Sequence, residues 1–255
     1  MNDEDNVVSK RRGFLKQARG AGAAVPLSSG IAGGAALASI GIAAAAEPAV
    51  PAAPAVPTAS PIIGYICFSQ DEAAFIETMV NIMCPADEYT PNGVDCGLPI
   101  YIDRQLAGDF GQGLKLYMQG PFQQGKPQQG YQLPLSPVQH FKAGVEAANN
   151  VCTAKHGTTF DQLDPKDAEA FLKDLAAGKV TDQRLPLDAW FSQLIEPLFM
   201  QACYADPIYG GNYNKVFWKM IGYPGLPATN TINMVQYRGK PFPGAKDPKS
   251  MADFS

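Results

Sequence analysis

The sequence predicts an all-α domain of irregular helices joined by long loops, and three observations lead to this class. Apolar residues recur at intervals of three and four along several segments, which is the spacing of one helix face. Those segments begin with capping residues or with proline in the first turn. Persuasive runs of alternating polar and apolar residues, which are typical of half-buried strands, are absent.

The first predicted helix follows Ser69, which stands three residues before Glu72, as in a capping box. Its apolar stripe consists of Phe75, Ile76, Met79, Val80 and Met83. Pro85 ends this helix, because proline cannot donate the hydrogen bond that would continue it. A second helix is predicted over residues 99–107, with Gly108 just beyond it.

Two further helices begin with a capping residue followed by proline, at residues 136–137 and 164–165. The apolar stripes that follow are Val138, Phe141 and Val145 in the first helix and Ala168, Phe171, Leu172 and Leu175 in the second, which Gly178 ends. Residues 187–203 predict another helix, which Pro197 is expected to kink or split. Residues 108–135 form a long loop with four aromatic residues, and loops of that length are usually functional or disordered.

The first 46 residues predict an export signal. Residues 10–16 read Lys-Arg-Arg-Gly-Phe-Leu-Lys, in which Arg11 and Arg12 precede the apolar pair Phe14 and Leu15, as in a twin-arginine signal. A weakly apolar Ala/Gly segment follows and ends in three alanines, which suit a signal peptidase. An uncleaved membrane anchor is the alternative, although the many glycines make a poor spanning helix.

Residues 47–61 repeat alanine and proline, a composition that cannot bury a core and predicts an extended linker. We therefore expect three parts: a signal peptide over 1–46, a linker over 47–61 and a single helical domain over 62–255. A protein exported by this route is expected in the periplasm.

Composition argues against several kinds of site. The net charge is −4 and no basic stripe follows the leader, which argues against nucleic-acid binding. The two histidines, His140 and His156, leave few ways to build a metal site or an acid–base pair. We interpret His140 as a structural histidine, and the acidic residues Asp87, Glu88 and Asp103 as solvated or capping carboxylates.

All five cysteines lie in the predicted mature part: Cys67, Cys84, Cys96, Cys152 and Cys203. An oxidising periplasm favours disulfides, and the odd number leaves at least one thiol outside any pair within the chain. Cys84 and Cys96 bracket a short loop, whose closure would stabilise the fold by about 3 kcal/mol on the chain-entropy model. We predict that pairing first and Cys152 with Cys203 second, with buried thiols or a bond to another chain as the alternatives.

The most informative stretch, residues 206–225, predicts a tight turn that leads into a short aromatic helix. Gly210 and Gly211 supply the turn through positive φ, and Asn212 or Asn214 is expected to cap the helix. Tyr213, Val216, Phe217 and Met220 have the spacing of one helix face, and Gly222 marks the helix end.

Four segments carry a resemblance to a known family, in the expected order along the chain. They are residues 75–88, which contain Phe-Ile-Glu and end in Pro-Ala-Asp-Glu; residues 97–108, with Tyr101-Ile102-Asp103; residues 130–137, which read Gly-Tyr-Gln-Leu-Pro-Leu-Ser-Pro; and residues 206–225, which begin Asp-Pro-Ile-Tyr-Gly-Gly-Asn. Together they resemble the small (third) subunit of membrane-bound gluconate 2-dehydrogenase.

The resemblance implies a non-catalytic accessory subunit in the periplasm. In that family the small subunit sits with a large FAD-bearing dehydrogenase subunit of the glucose–methanol–choline type and a multihaem cytochrome c, which passes electrons to the quinone pool. Neither cofactor is expected in this chain, because Cys-x-x-Cys-His and a strand–glycine-loop–helix unit are both missing from the sequence. The family also suggests that the leader carries the large subunit across the membrane.

A chain without chemistry of its own acts through contact, so we predict a partner interface within residues 206–225. The residues expected to form it are Asp206, Tyr209, Gly210, Gly211, Asn212, Tyr213 and Trp218. Phe217 and Met220 are expected to pack in the core instead. One alternative is a stand-alone periplasmic helical enzyme or ligand-binding protein whose pocket is lined by residues 108–135. Another is an envelope scaffold on the 47–61 stalk.

Overall fold

The computed structural model describes residues 64–123, 125–226 and 230–254. The predicted export residues Arg11, Arg12, Phe14 and Leu15 and the predicted linker lie outside the described residues. The helices are α1 (Gln70–Met83), α2 (Leu98–Ala107), α3 (Pro137–His156), α4 (Pro165–Ala176), α5 (Leu187–Trp190), α6 (Glu196–Tyr204), α7 (Val216–Ile221) and α8 (Thr231–Gln236). The described residues form no strand, only one isolated bridge between Gly225 and Lys249, so the all-α prediction is confirmed.

Two of the predicted helix starts, at Ser69 and Ser136, are confirmed by their capping hydrogen bonds. At α1 the Glu72 amide donates to Ser69 Oγ over 3.3 Å, and the Ser69 amide donates to Glu72 Oε2 over 2.8 Å. Ser136 and Gln139 make the same pair of bonds at α3. Such reciprocal bonds satisfy two backbone donors that a helix start otherwise leaves unpaired. Asp164 makes no side-chain cap at α4, where Pro165 occupies the first turn.

Aromatic rings from four different elements pack against one another in the core. The Phe75 ring centroid lies 4.6 Å from that of Phe160 and 6.2 Å from that of Trp190. The Phe160 ring in turn lies 5.6 Å from the ring of Phe171. α3 approaches Trp190 through Gly144, where an added Cβ would lie 2.1 Å from the indole ring. The spacing of the apolar residues thus predicts the buried faces, and all four predicted stripe residues of α4 are buried.

The segment Phe191–Ile195 joins α5 to α6 as a π-helix, and Pro197 follows it in the first turn of α6. A regular helix would require the residue at 197 to donate to the carbonyl of Gln193, which proline cannot do. The wider π-turn accommodates this missing bond, and the residues at its two junctions keep αR dihedral angles. The predicted disturbance near Pro197 is therefore present as a π-segment.

The segment that precedes α1 is fastened to α2 by one buried carboxylate. Asp103 is 1% exposed, and its oxygens accept backbone hydrogen bonds from Ile66, Cys67 and Phe68 at 2.7, 2.8 and 3.0 Å. Charge-assisted bonds of this kind are among the stronger hydrogen bonds in proteins. The prediction of a solvated or capping carboxylate is therefore wrong for Asp103, which is buried and holds a segment 35 to 37 residues earlier in the chain.

Candidate partner-binding surface

Residues 206–215, here called the 206–215 loop, have an unusual backbone. Gly210 has a φ of 108°, and three residues with side chains also have positive φ: Asn212 at 51°, Asn214 at 55° and Lys215 at 58°. Left-handed conformations cost residues with a Cβ roughly 1 to 2 kcal/mol each, and they persist only where the surroundings enforce them. Gly211 has no positive φ, but an added Cβ would lie 2.4 Å from the Ala202 carbonyl oxygen.

Asn212 is the residue that enforces this backbone. Its side chain is fully buried, its Oδ1 accepts from the Phe217 amide over 3.0 Å, and its Nδ2 donates to the Ala205 carbonyl over 3.3 Å. Asn212 thus satisfies an amide in the first turn of α7, although the residue in the N-cap position of that helix is Lys215. Asn214 is exposed and makes no such cap.

The 206–215 loop rests on the beginning of α2. The Tyr213 amide donates to the Cys96 carbonyl over 3.0 Å. A Cβ added to Gly97 would lie 2.6 Å from both the Gly210 carbonyl and the Tyr213 ring. Gly97 also has a φ of 75°, so glycine is required here for both conformation and space.

The C-terminal residues 247–254, here called the C-terminal clasp, hold the outer side of the same loop. Lys249 accepts from the Leu226 amide over 2.7 Å and donates to the Pro224 carbonyl over 3.0 Å. Further along, the Met251 amide donates to Asp206 Oδ2 over 2.9 Å. Lys215 Nζ lies 2.5 Å from Asp253 Oδ2, and this hydrogen bond lowers the pKa of Asp253. Nothing in the sequence analysis predicted this clasp.

The loop and the clasp together present an apolar outer face. Residues 207–209 pack against residues 251–254. The large exposed side chains there are Ile208 at 43%, Tyr209 at 50%, Met251 at 47% and Phe254 at 70%, and we call these four residues the loop–clasp face. Of the predicted interface residues, Tyr209 is thus well exposed, Asp206 and Tyr213 are partly buried, and Gly210, Gly211 and Asn212 are buried supports.

Two sequence predictions about α7 are wrong in orientation. Trp218 is only 4% exposed, its Nε1 donates to the Tyr204 carbonyl over 2.8 Å, and its ring packs edge-on against Tyr223. It is therefore a core side chain and not an exposed contact residue. Met220, expected in the core, is 37% exposed, whereas Phe217 is buried as predicted. The left-handed backbone before Val216 separates Tyr213 from the helix, so Tyr213 does not mark its buried face, and within α7 the buried side chains are Phe217 and Trp218.

A second apolar surface lies in the 108–135 loop. Leu114 and Tyr117 are 70% and 82% exposed. The base of this turn is fixed, because Gly111 donates to the Gln105 carbonyl over 3.2 Å and accepts from the Val138 amide over 3.1 Å. Within the described residues, these aromatic and aliphatic side chains point outward instead of lining a pocket.

The structure shows no disulfide bond among the cysteines that it describes. The predicted pairings therefore stay predictions. The cysteines of the two predicted pairs lie in different surroundings. Cys84 and Cys96 lie side by side, with both Sγ atoms within hydrogen-bonding distance of the Pro91 carbonyl. Cys152 is buried in α3, where burial raises its pKa to about 12.

His140 is fully buried in α3, as expected of a structural histidine, but among the described residues its ring nitrogens are not satisfied as that interpretation assumed. Its ring lies 4.3 Å from that of Tyr131, and within the described structure neither ring nitrogen has a hydrogen-bond partner. Burial lowers the pKa of His140 to about 4, because the charged imidazolium would lose its hydration there. The described part of the chain contains no group of three or more potential metal ligands of the His, Cys, Asp and Glu types.

The comparisons with known proteins give one match. The family described as gluconate 2-dehydrogenase subunit 3 matches residues 70–225, more than half of the chain. The chain belongs to this family. The match begins at the first residue of α1 and includes the 206–215 loop, whereas the C-terminal clasp lies beyond it. No curated protein and no solved structure matches the chain.

Membership of the gluconate 2-dehydrogenase subunit 3 family confirms the resemblance found in the sequence and implies a multi-subunit dehydrogenase complex. Among the helices that the structure describes, none is long and apolar enough to cross a membrane.

Proposed function

We propose that this chain is the non-catalytic small subunit of a periplasmic, membrane-associated complex of the gluconate 2-dehydrogenase type. In this role it supports the export, assembly or stability of an FAD-bearing large subunit that oxidises a sugar acid. Electrons then leave through a cytochrome c subunit to quinone. Family membership supports the subunit role, and the twin-arginine pattern around Arg11 and Arg12 supports the compartment.

The observation that carries the proposal is the rigid, exposed apolar loop–clasp face. Tyr209 is half exposed on a loop whose conformation is held by Asn212 from inside and by the clasp from outside. A contact residue on a preorganised loop loses little conformational entropy on binding, so more of its contact energy appears as affinity. Exposed tyrosines in such settings are typical interface hot spots.

The test begins with deletion of the gene in cells that keep the flavoprotein and cytochrome subunits. The expected result is loss of flavoprotein from the periplasm and loss of sugar-acid-dependent quinone reduction. Full oxidation with normal export in these cells would contradict the proposal. The isolated chain is expected to be colourless and inactive and to coelute with the flavoprotein when the two are mixed.

One double variant of the leader separates export from assembly. Replacing Arg11 and Arg12 by lysine keeps the charge but removes the twin-arginine pair. If the leader carries the large subunit, both proteins remain in the cytoplasm as an assembled pair. Normal export of the flavoprotein with this variant would restrict the role to assembly.

The stand-alone ligand-binding alternative has one supporting observation, an open cleft of about 530 Å³ at the start of α1. It is lined by Tyr65, Phe68 and Glu77 among others, and Tyr65 donates to Glu77 over 2.5 Å. None of its lining residues comes from the 108–135 loop on which the alternative rested. Substrate turnover by the isolated chain would favour this alternative over the subunit role.

A further inference from the structure

Two thiols meet where α1 ends and α2 begins. Cys84 is the C-terminal cap of α1, and its amide donates to the Val80 carbonyl over 2.8 Å. Cys96 lies two residues before α2. Both side chains are almost fully buried, at 2% and 1% exposure, beneath the loop of residues 85–95 that joins the helices.

The two sulfur atoms share one acceptor. Cys84 Sγ lies 3.8 Å and Cys96 Sγ 3.6 Å from the carbonyl oxygen of Pro91. The thiols also interact with each other, since a hydrogen bond with Cys84, followed by burial, raises the pKa of Cys96. Because the thiolate is the reactive form, a raised pKa lowers the reactivity of Cys96 in this environment.

Exchange with an external disulfide requires the 85–95 loop to move away from the two buried thiols, and several hydrogen bonds of this loop join near neighbours in the chain. Asp87 Oδ1 accepts from the amides of Tyr89 and Thr90 at 2.9 Å, and Asn92 Oδ1 accepts from the Asp95 amide at 2.8 Å. The bond from the Val94 amide to Asn81 Oδ1 over 3.0 Å fastens the loop to α1, and Gly93 packs closely against Val80 of the same helix.

We propose that Cys84 and Cys96 are an oxidisable pair that forms a disulfide by exchange with an external disulfide once the loop opens. In the first step one cysteine, as its thiolate, attacks the external disulfide, which forms a mixed disulfide and releases one thiolate. The second cysteine then attacks the mixed disulfide and releases the other thiolate. The two cysteines together lose two protons and two electrons, and the external disulfide is reduced to two thiols.

The bond would also stiffen the support of the loop–clasp face. Cys96 supplies the carbonyl that accepts from Tyr213, and Gly97 beside it packs against Gly210. A disulfide at residue 96 would therefore tie this support to the end of α1. On the chain-entropy model, closing a loop of this length shifts the folding equilibrium by about a hundredfold.

The test uses the purified full chain equilibrated in mixtures of oxidised and reduced glutathione, so its result does not depend on where the protein resides or on its partners. Remaining thiols are alkylated in denaturant, and the chain is cut with trypsin and a glutamate-specific protease. Because Glu88 is the cleavage site between the two cysteines, the predicted bond joins peptide 78–88 to peptide 89–104. Reduction should separate the two peptides.

Variants make the result specific. In the wild-type chain, a reductant should lower the melting temperature by roughly 6 to 12 °C. The double variant Cys84→Ser/Cys96→Ser should give no linked peptide, and the reductant should leave its melting temperature unchanged. The control Cys152→Ser, buried in a different helix, should keep both the linked peptide and the effect of the reductant. Alkylation of both Cys84 and Cys96 at every redox potential would overturn the proposal. So would a link of either one to Cys203, whose thiolate form would raise the pKa of Cys96.

Discussion

Replacing Trp218 or Tyr209 by alanine should have opposite consequences, because the two rings have opposite environments. Trp218 is 4% exposed and donates to the Tyr204 carbonyl. Its truncation leaves a cavity and removes the hydrogen bond to that carbonyl, at a cost of about 3 to 5 kcal/mol in the free energy of unfolding. For a domain of this size that lowers the melting temperature by roughly 6 to 20 °C.

Tyr209→Ala should leave stability almost unchanged and weaken association. A half-exposed side chain contributes about 0.5 kcal/mol or less to folding. If its ring is an anchor of the partner interface, its loss costs about 1 to 2 kcal/mol of binding, which is a fivefold to thirtyfold rise in Kd. Tyr89→Ala, which removes a ring of 56% exposure outside the loop–clasp face, is the matched control.

The assays are thermal unfolding of each variant alone and titration of each variant against the flavoprotein subunit. We expect a large fall in melting temperature for Trp218→Ala and a large rise in Kd for Tyr209→Ala. Tyr89→Ala should show neither change. An unchanged Kd for Tyr209→Ala, together with weaker binding by a fully stable Trp218→Ala, would refute the assignment of the outer face.

Three more predictions concern buried groups. Asp103→Asn keeps one acceptor oxygen but loses the charge, so the free energy of unfolding should fall by about 2 to 4 kcal/mol. The amides of residues 66–68 should also lose protection from hydrogen exchange. Unchanged exchange at these amides would contradict the role of Asp103 as their anchor. The folded-state pKa of His140, about 4, lies below its unfolded value of about 6.5. The contribution of this neutral side chain to the free energy of unfolding is therefore complete above pH 6.5 and is lost as pH falls toward 4. Denaturant titration should show about 3 kcal/mol less stability at pH 4 from this group, and the loss should disappear in His140→Phe. Gly211→Ala should lower the free energy of unfolding by about 1 to 3 kcal/mol in thermal unfolding, because the added Cβ would meet the Ala202 carbonyl. The control Gly157→Ser has open space around the added side chain, so it should show only the cost of a left-handed backbone.

The helices could be predicted from the sequence wherever the signals were local. Ser69 and Ser136 mark helix starts because a capping bond spans only three residues, and Gly222 marks an end because its left-handed φ is a property of one residue. The same locality explains the buried stripe of α4, whose members are fixed by the period of a single helix.

The error at Trp218 has a local cause that the sequence conceals. Residues 213–220 carry apolar side chains at helical spacing, but Asn212, Asn214 and Lys215 adopt left-handed backbone. Helical phase is lost across such residues, so the face of α7 can be counted only from Val216. Asparagine tolerates this conformation better than most residues, which makes the two asparagines the sequence signal that could have warned of the break.

The Asp103 anchor and the C-terminal clasp could not be predicted because both depend on distant partners. Asp103 reaches amides more than 30 residues away, and the bond between Met251 and Asp206 spans 45 residues. No periodicity links such positions in a single sequence. The partial signal for Asp103 is its place in a helix that otherwise buries apolar residues, since a carboxylate there requires hydrogen-bond donors from elsewhere.

The 206–215 loop combines features that lower folding stability with supports that hold it in place. Three left-handed residues with side chains each cost folding free energy, yet Asn212 is fully buried and bonded, and the clasp contributes the Asp253 and Met251 bonds on the outer side. A loop needed only to connect α6 with α7 could relax into ordinary turn geometry at less cost. Backbone strain that the surroundings enforce is common at functional sites, and here it displays Tyr209 in a fixed orientation. The same arrangement explains why the clasp matters to the proposed function although it lies beyond the family match: removing residues 247–254 should release Asp206 and Lys215, and with them the orientation of the aromatic ring that the partner is proposed to contact.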